Sequence, residues 1–119
     1  MKVEVRVTKN FRKEAKPLAK KYPSFLDDLE KLEKTLLANP TGGEPLGRNA
    51  YKIRLQIKSK GKGKSGGARV ISYLEKEIVL VMEVSEEMTI VNLLTVYDKS
   101  AKSTISDSEL RNLIENLEL

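Results

Sequence analysis

The residues of this chain that could carry chemistry are lysines, arginines, tyrosines and carboxylates, because the sequence contains no histidine and no cysteine. Without an imidazole or a thiol, the usual hydrolytic triads and most zinc sites are excluded. A crowded positive site can still lower the pKa of a lysine or tyrosine enough for it to exchange a proton near neutral pH. The composition therefore favours chemistry on an anionic substrate, with cations that stabilise developing negative charge.

The positive charge is concentrated in one central segment. The whole chain has a net charge of +5, and the stretch from Arg48 to Arg69 contains eight basic residues and no acidic one. These basic residues are Arg48, Lys52, Arg54, Lys58, Lys60, Lys62, Lys64 and Arg69. Such a patch suggests a polyanionic partner, nucleic acid first, although a basic loop by itself is more often a solvated surface.

The elements that position these residues follow from the hydrophobic spacing. Alternating valines predict a strand over residues 2–8. A first helix is predicted after Asn10 as its N-cap, with a kink or restart at Pro17. A second helix is predicted after Ser24 and ends at Asn39–Pro40. These two helices would form a helical hairpin.

The pattern changes to period two after a predicted loop over Thr41–Gly47. Apolar side chains from Tyr51 to Ile57 then face one way, whereas Lys52, Arg54 and Lys58 face the other. After a basic loop, a further strand begins at Ala68 and carries Arg69.

Residues 75–97 admit two divisions into strands. In the first, a long strand continues through Val84, a turn covers Ser85–Met88, and a last strand covers Thr89–Tyr97. In the second, an extra hairpin turns at Glu75–Glu77. A capping box at Ser106 and Glu109 then opens a C-terminal helix.

The order β-α-α-β-β-β-α predicts one α+β domain over residues 1–119. The helices are expected to cover the apolar face of an antiparallel-rich sheet, so the opposite face would carry Lys52, Arg54, Lys58 and Arg69. A basic row on an open sheet face favours polyanion binding over simple solvation. The acids between Glu75 and Glu87 lie around strand ends and a predicted turn, so no metal and no cofactor are expected. With no signal peptide or membrane span in the pattern, a cytoplasmic protein is the default.

Four segments of the chain resemble the RelE/ParE superfamily of type II toxins, especially its RelE/HigB-like bacterial branch. They are KKYPS (Lys20–Ser24), YKIRL (Tyr51–Leu55), KGKGKSGGARVISY (Lys60–Tyr73) and LLTVYDKS (Leu93–Ser100). The resemblance covers nearly the whole chain. It implies a RelE-like toxin fold, in which an N-terminal strand and a helical hairpin pack on a twisted sheet followed by a C-terminal helix. It also implies a ribosome-dependent mRNA endonuclease that uses 2′-hydroxyl attack without a metal, with the ribosome, mRNA and a cognate antitoxin as partners.

The same resemblance implies a set of site residues. Position by position, the catalytic residues are Lys52, Arg54, Arg69, Tyr97 and Lys99. The tyrosine that some RelE-type members carry six residues after the last basic position is Ile105 here, and Tyr97 stands where the HigB-like branch places functional residues. Asp98 either orients Lys99 or Arg54, or caps a turn. Contacts with RNA phosphates are expected from Arg48, Lys58, Lys60, Lys62 and Lys64.

Two other functions stay open. One is a ParE-like, non-nucleolytic toxin that binds a topoisomerase; such toxins do not need a clustered basic face, so Lys52, Arg54 and Arg69 argue against it. The other is a catalytically silent module that binds RNA or the antitoxin, a possibility raised by Ile105. An RNA-cleavage assay separates these functions.

Overall fold

The computed structural model of the protein describes residues 2–61 and 66–119. Its elements are β1 (Lys2–Val7), α1 (Lys9–Lys21), α2 (Phe25–Ala38), β2 (Glu44–Gly47), β3 (Ala50–Leu55), a short 3₁₀ helix (Lys58–Lys60), β4 (Ala68–Val81), β5 (Val84–Asp98) and α3 (Asp107–Glu115). The predicted α+β class is confirmed, and the described chain has one strand, β2, in the segment that was predicted to be a loop.

The five strands form one mixed sheet in the order β1-β5-β4-β3-β2. β1 runs parallel to β5, and every other neighbouring pair is antiparallel. The helical hairpin of α1 and α2 covers one face, where Phe11, Phe25 and Leu36 pack against Val70 and Val91. This face therefore holds the larger hydrophobic core.

The second face of the sheet is partly covered as well, because α3 packs on it. Leu110 of α3 is buried together with Ala50, Ile71 and Leu94. The expectation that helices cover only one face is therefore wrong. The sequence showed where α3 begins, and its capping box is present at Ser106 and Glu109, but helical spacing does not indicate which sheet face receives the helix.

A β-bulge in β5 changes which side chains face each core. Ile71 pairs with Thr95 and Ser72 pairs with Leu93, so Leu94 is the extra residue. The bulge allows Leu93 and Val96 to face the helical hairpin although three positions separate them. Beyond the bulge, Tyr97 lies on the α3 side of the sheet.

The two helices of the hairpin lie close to their predicted positions, but the N-cap of the first helix is a different residue. The N-cap of α1 is Thr8, whose hydroxyl accepts a hydrogen bond from the Phe11 amide at 3.2 Å. Asn10, the predicted cap, instead donates from its side chain to the Leu94 carbonyl at 2.9 Å. Pro17 lies within a continuous helix rather than at a break. Ser24 is the N-cap of α2 as predicted, although its side chain makes no capping hydrogen bond.

Neither predicted division of residues 75–97 is correct. β4 and β5 form one long hairpin with its turn at Met82 and Glu83, where φ is 48° and 67°. Positive φ at both central residues is typical of a type I′ turn, which usually carries asparagine or glycine. Met82 and Glu83 stand at these positions instead, so the sequence does not indicate the turn. No described helix is long and apolar enough to cross a membrane.

Candidate nucleic-acid site

Four of the five predicted catalytic residues line one open cavity of about 750 Å³. β3 supplies Lys52 and Arg54, β4 supplies Arg69, and Lys99 follows directly after β5. The strand pattern predicted that the first three share a face, and the fold brings Lys99 to the same place. The cavity is therefore bounded by four cationic side chains from three segments of the chain.

The register of the sheet explains this convergence. Arg54 lies directly opposite Arg69 in the β3–β4 ladder, and Tyr97 lies opposite Arg69 in the β4–β5 ladder. Directly paired residues project from the same face of a sheet. The two arginines and the tyrosine consequently form one row across the sheet on the side opposite the helical hairpin.

The two arginines differ in exposure. Arg69 is only 4% exposed, and its Nη1 donates a hydrogen bond to the Ala68 carbonyl at 3.0 Å. Arg54 is exposed. Arg69 is thus a fixed charge at the floor of the cavity, whereas Arg54 is free to adjust to a bound group.

Glu44 also lines the cavity, although no sequence pattern indicated its role. Its Oε2 lies 3.4 Å from Lys52 Nζ, and the two residues are paired across β2 and β3. Within the described residues it is the one carboxylate at this cavity. β2 has only four residues, which is too short for hydrophobic alternation to reveal it.

Glycine at position 43 is what lets β2 approach β3 at this point. A Cβ on Gly43 would lie 2.6 Å from the Lys52 carbonyl oxygen, and the φ of +105° is unfavourable for other residues. Gly43 immediately precedes Glu44, so this close approach fixes the carboxylate beside Lys52.

Asp98 points away from the cavity, toward the helical hairpin. Its Oδ2 accepts a hydrogen bond from Tyr22 Oη at 2.7 Å, and its Oδ1 accepts from Lys60 Nζ at 2.6 Å and from the Ser100 amide at 2.9 Å. Burial raises the pKa of Asp98, but the hydrogen bonds from Lys60, Tyr22 and Ser100 outweigh it and hold the pKa well below its usual value. Of the roles left open for Asp98, its bonds to Ser100 fit a turn cap, and it makes no hydrogen bond to Arg54.

Lys60 forms a buried ion pair that the surrounding sequence did not indicate. In its ion pair with Asp98, the two side chains are 9% and 8% exposed. Because this ammonium group is buried and paired, the expected RNA contact of Lys60 stays a prediction, and it would require the ion pair to open. The composition of a basic loop predicts that its lysines are exposed to solvent. Asp98 comes close to Lys60 only in the folded chain.

Arg48 and Lys58 are the other predicted RNA contacts that the structure describes, and neither lines the cavity. Arg48 Nε lies 3.2 Å from Asp107 Oδ1, beside the start of α3. Lys58 is exposed but belongs to the 3₁₀ helix and not to the strand β3 as predicted. Its amide donates to the buried Asp28 carboxylate at 3.1 Å. Lys62 and Lys64 lie outside the described residues.

Tyr97 does not line the cavity that the other four predicted catalytic residues share. It lines a second cavity of about 580 Å³ between α1, β5 and α3, together with Ile105 and Lys102. Its hydroxyl is buried and has no hydrogen-bond partner among the described residues. Burial raises the pKa of Tyr97, against the lowering effect of Arg69. Tyr97 shares a sheet face with Arg69, yet its hydroxyl is not accessible to solvent.

No protein-family model matches the chain, and no curated protein or solved structure matches it either. What the protein does has to be inferred from the cavity and its charges.

The arrangement of the cavity suits a phosphodiester. Guanidinium groups match two phosphate oxygens at once, and they stabilise charge that develops on those oxygens in a transition state. Lys52 and Lys99 add two further cations, and Glu44 adds a group that can accept a proton. Among the described residues, no three carboxylates are grouped so that they could hold a metal ion. The cations and the carboxylate that line the cavity are suited to acid–base chemistry on a bound phosphate.

Proposed function

We propose that the protein is a metal-independent endoribonuclease, the toxin of a type II toxin–antitoxin system that cleaves mRNA at the ribosome. The observation that carries the proposal is the cavity in which Lys52, Arg54, Arg69 and Lys99 surround a space with Glu44 at its edge. The segments that resemble RelE/HigB-like toxins support it, and the α+β sheet with its N-terminal helical hairpin is compatible with a RelE-like fold. A ParE-like toxin that binds a topoisomerase would not need these clustered cations.

In this proposal the 2′-hydroxyl of one nucleotide attacks the adjacent phosphate. The bond between O2′ and phosphorus forms, the bond between phosphorus and O5′ breaks, and the products carry a 2′,3′-cyclic phosphate and a 5′-hydroxyl. The hydroxyl proton passes to a base, for which the Glu44–Lys52 pair is our candidate. Arg54 and Arg69 stabilise the charge on the phosphoryl oxygens. Lys99 supplies a proton to the departing oxygen, and Tyr97 is not needed.

The deciding experiment adds the purified protein to programmed ribosomes and maps the ends of the mRNA. We expect cleavage that persists in EDTA and leaves 2′,3′-cyclic phosphate. Arg69→Lys keeps the buried charge but loses the forked geometry, so it should slow single-turnover cleavage by about 10²-fold. Lys13→Gln removes an exposed charge from α1 and should cleave as the wild type does. A strict Mg²⁺ requirement for the chemical step, or full activity of Arg69→Lys, would contradict the mechanism.

A further inference from the structure

The β4–β5 hairpin extends past its neighbours in the sheet and carries exposed apolar side chains. β3 pairs with β4 only as far as Tyr73, and β1 pairs with β5 only from Met88. Beyond those points, among the described residues, the two strands have only each other as ladder partners. The exposed fractions are 75% for Ile78 and Leu80, 91% for Met82 and 67% for Val84. A group of exposed apolar residues on an open strand edge is a typical interaction site.

The direction of the backbone N–H and C=O groups along the open edge of β4 follows from one hydrogen bond to β3's side of the sheet. The Leu74 amide donates to the Asn49 carbonyl at 2.9 Å, so the backbone groups of Leu74 face the β3 side of the strand. In a regular antiparallel strand, alternate residues direct their backbone groups to the same side. The backbone groups of Lys76, Ile78 and Leu80 therefore face outward, with no described strand beside them.

We propose that a second copy of this chain pairs with this edge, β4 against β4, about a two-fold axis at Ile78. In this register Ile78 lies opposite its own counterpart, and Lys76 lies opposite Leu80 of the other copy. These are the residues whose backbone groups face outward, so the two copies could form hydrogen bonds with each other in this register. A closed two-fold contact of this kind uses the same surface on both copies.

The side chains of the two copies would also be compatible with each other in that register. Ile78 and Leu80 of both copies come together in one apolar patch on the face that continues from the helical hairpin. On the opposite face Glu77 lies across from Val79, so no two like charges are directly opposed. The open edge of β5 is less suited to self-pairing, because two of its four residues, Glu86 and Glu87, are acidic.

The test is sedimentation velocity of the full chain from about 10 μM to about 1 mM, a range that covers weak, edge-mediated association. The wild type should shift from monomer to dimer across this range. Because Ile78 faces its own counterpart, either Ile78→Lys or Ile78→Glu alone places two like charges across the axis. Each should raise the dissociation constant by at least about tenfold.

An equimolar mixture of Ile78→Lys and Ile78→Glu gives the sharpest result, since a mixed dimer pairs opposite charges at the axis and should regain association. Leu26→Lys is the matched control, because Leu26 is 67% exposed on α2 and away from the hairpin. It should associate as the wild type does.

A wild type that stays monomeric to about 1 mM overturns the proposal. So does a mixture no more associated than its components, as expected if the hairpin binds an unrelated strand instead. Loss of association in Leu26→Lys equal to that in Ile78→Lys overturns it too. The dimer does not involve the RNA-cleavage cavity, so neither proposal depends on the other.

Discussion

Arg54 and Arg69 are directly paired across β3 and β4, yet the first is exposed and the second is 4% exposed. Like charges that oppose each other across a sheet destabilise it. A phosphate bound between the two guanidinium groups would relieve that repulsion. We therefore expect an anion bound at this place to stabilise the folded protein.

Arg54→Gln should therefore make the protein more stable and less active. Removal of one of two opposed charges should raise the free energy of unfolding by up to about 1 kcal/mol, measured by urea titration. The same change should slow RNA cleavage by about 10²-fold, because one transition-state cation is lost. The control Lys13→Gln removes an exposed charge from α1 and should alter neither quantity. A less stable Arg54→Gln would show that the opposed guanidinium groups do not repel.

Glu44→Gln tests whether the carboxylate beside Lys52 acts as the base. Loss of a general base should slow cleavage by about 10²–10⁴-fold. RNA binding should be unchanged or tighter, since a negative charge has been removed from a cationic cavity. Filter binding and single-turnover cleavage separate the two effects, and Glu30→Gln on α2 is the control. Wild-type cleavage by Glu44→Gln would assign the proton transfer to a lysine.

The cationic part of the site was predictable because it depends on strand alternation. Lys52 and Arg54 are two residues apart, so any regular strand places them on one face, and a neighbouring strand brings Arg69 beside them. Glu44 could not be predicted, because a four-residue strand has no readable period. Its position follows from how closely Gly43 approaches the Lys52 carbonyl, which is a property of the folded sheet.

The errors in the sequence prediction also have physical causes. Lys60 lies in a glycine- and lysine-rich loop, where local composition predicts solvation, but its partner Asp98 is 38 residues away. The β4–β5 turn uses Met82 and Glu83 at positive φ, and neither residue signals a turn. For Lys60, a long-range ion pair determines the outcome. The turn follows instead from the register of β4 on β5, which continues outward from the part of the hairpin inside the sheet.

Asp98→Asn should destabilise the protein in a pH-dependent manner. The variant leaves the Lys60 ammonium buried without a carboxylate, which costs about 3–5 kcal/mol at neutral pH. Because the pKa of Asp98 is lowered in the folded state, its stabilising effect is complete above the ordinary carboxyl range. It is lost as the pH falls below about 4 toward the lowered pKa. Urea titrations of both proteins should therefore begin to converge as the pH falls below about 4.

The control for this prediction is Asp107→Asn. Asp107 is exposed and paired with Arg48 and Arg111, so solvent screens the interaction and its loss should matter much less. A difference between wild type and Asp98→Asn that stays constant with pH would show that the carboxylate titrates alike in the folded and unfolded chains.

Tyr97→Phe should stabilise the protein and leave cleavage unchanged. The Tyr97 hydroxyl is buried without a hydrogen-bond partner among the described residues, and an unsatisfied buried polar group costs about 1–3 kcal/mol. Its removal should raise the melting temperature, as measured by calorimetry. Tyr73→Phe, on the same side of the sheet but partly exposed, serves as the control. A large loss of cleavage with intact RNA binding would return Tyr97 to the catalytic set.

The pairing of β1 with β5 bears on when the sheet can be completed while the chain is being synthesised. Thr8, at the end of β1, donates to the Leu93 carbonyl across 85 residues of sequence, and β1 has no other described strand beside it. Contacts of such long separation form slowly and only after most of the chain has been made. The Arg54–Arg69–Tyr97 row likewise needs β5 in place. The cationic cavity would therefore be complete only after β5 and Lys99 have been synthesised.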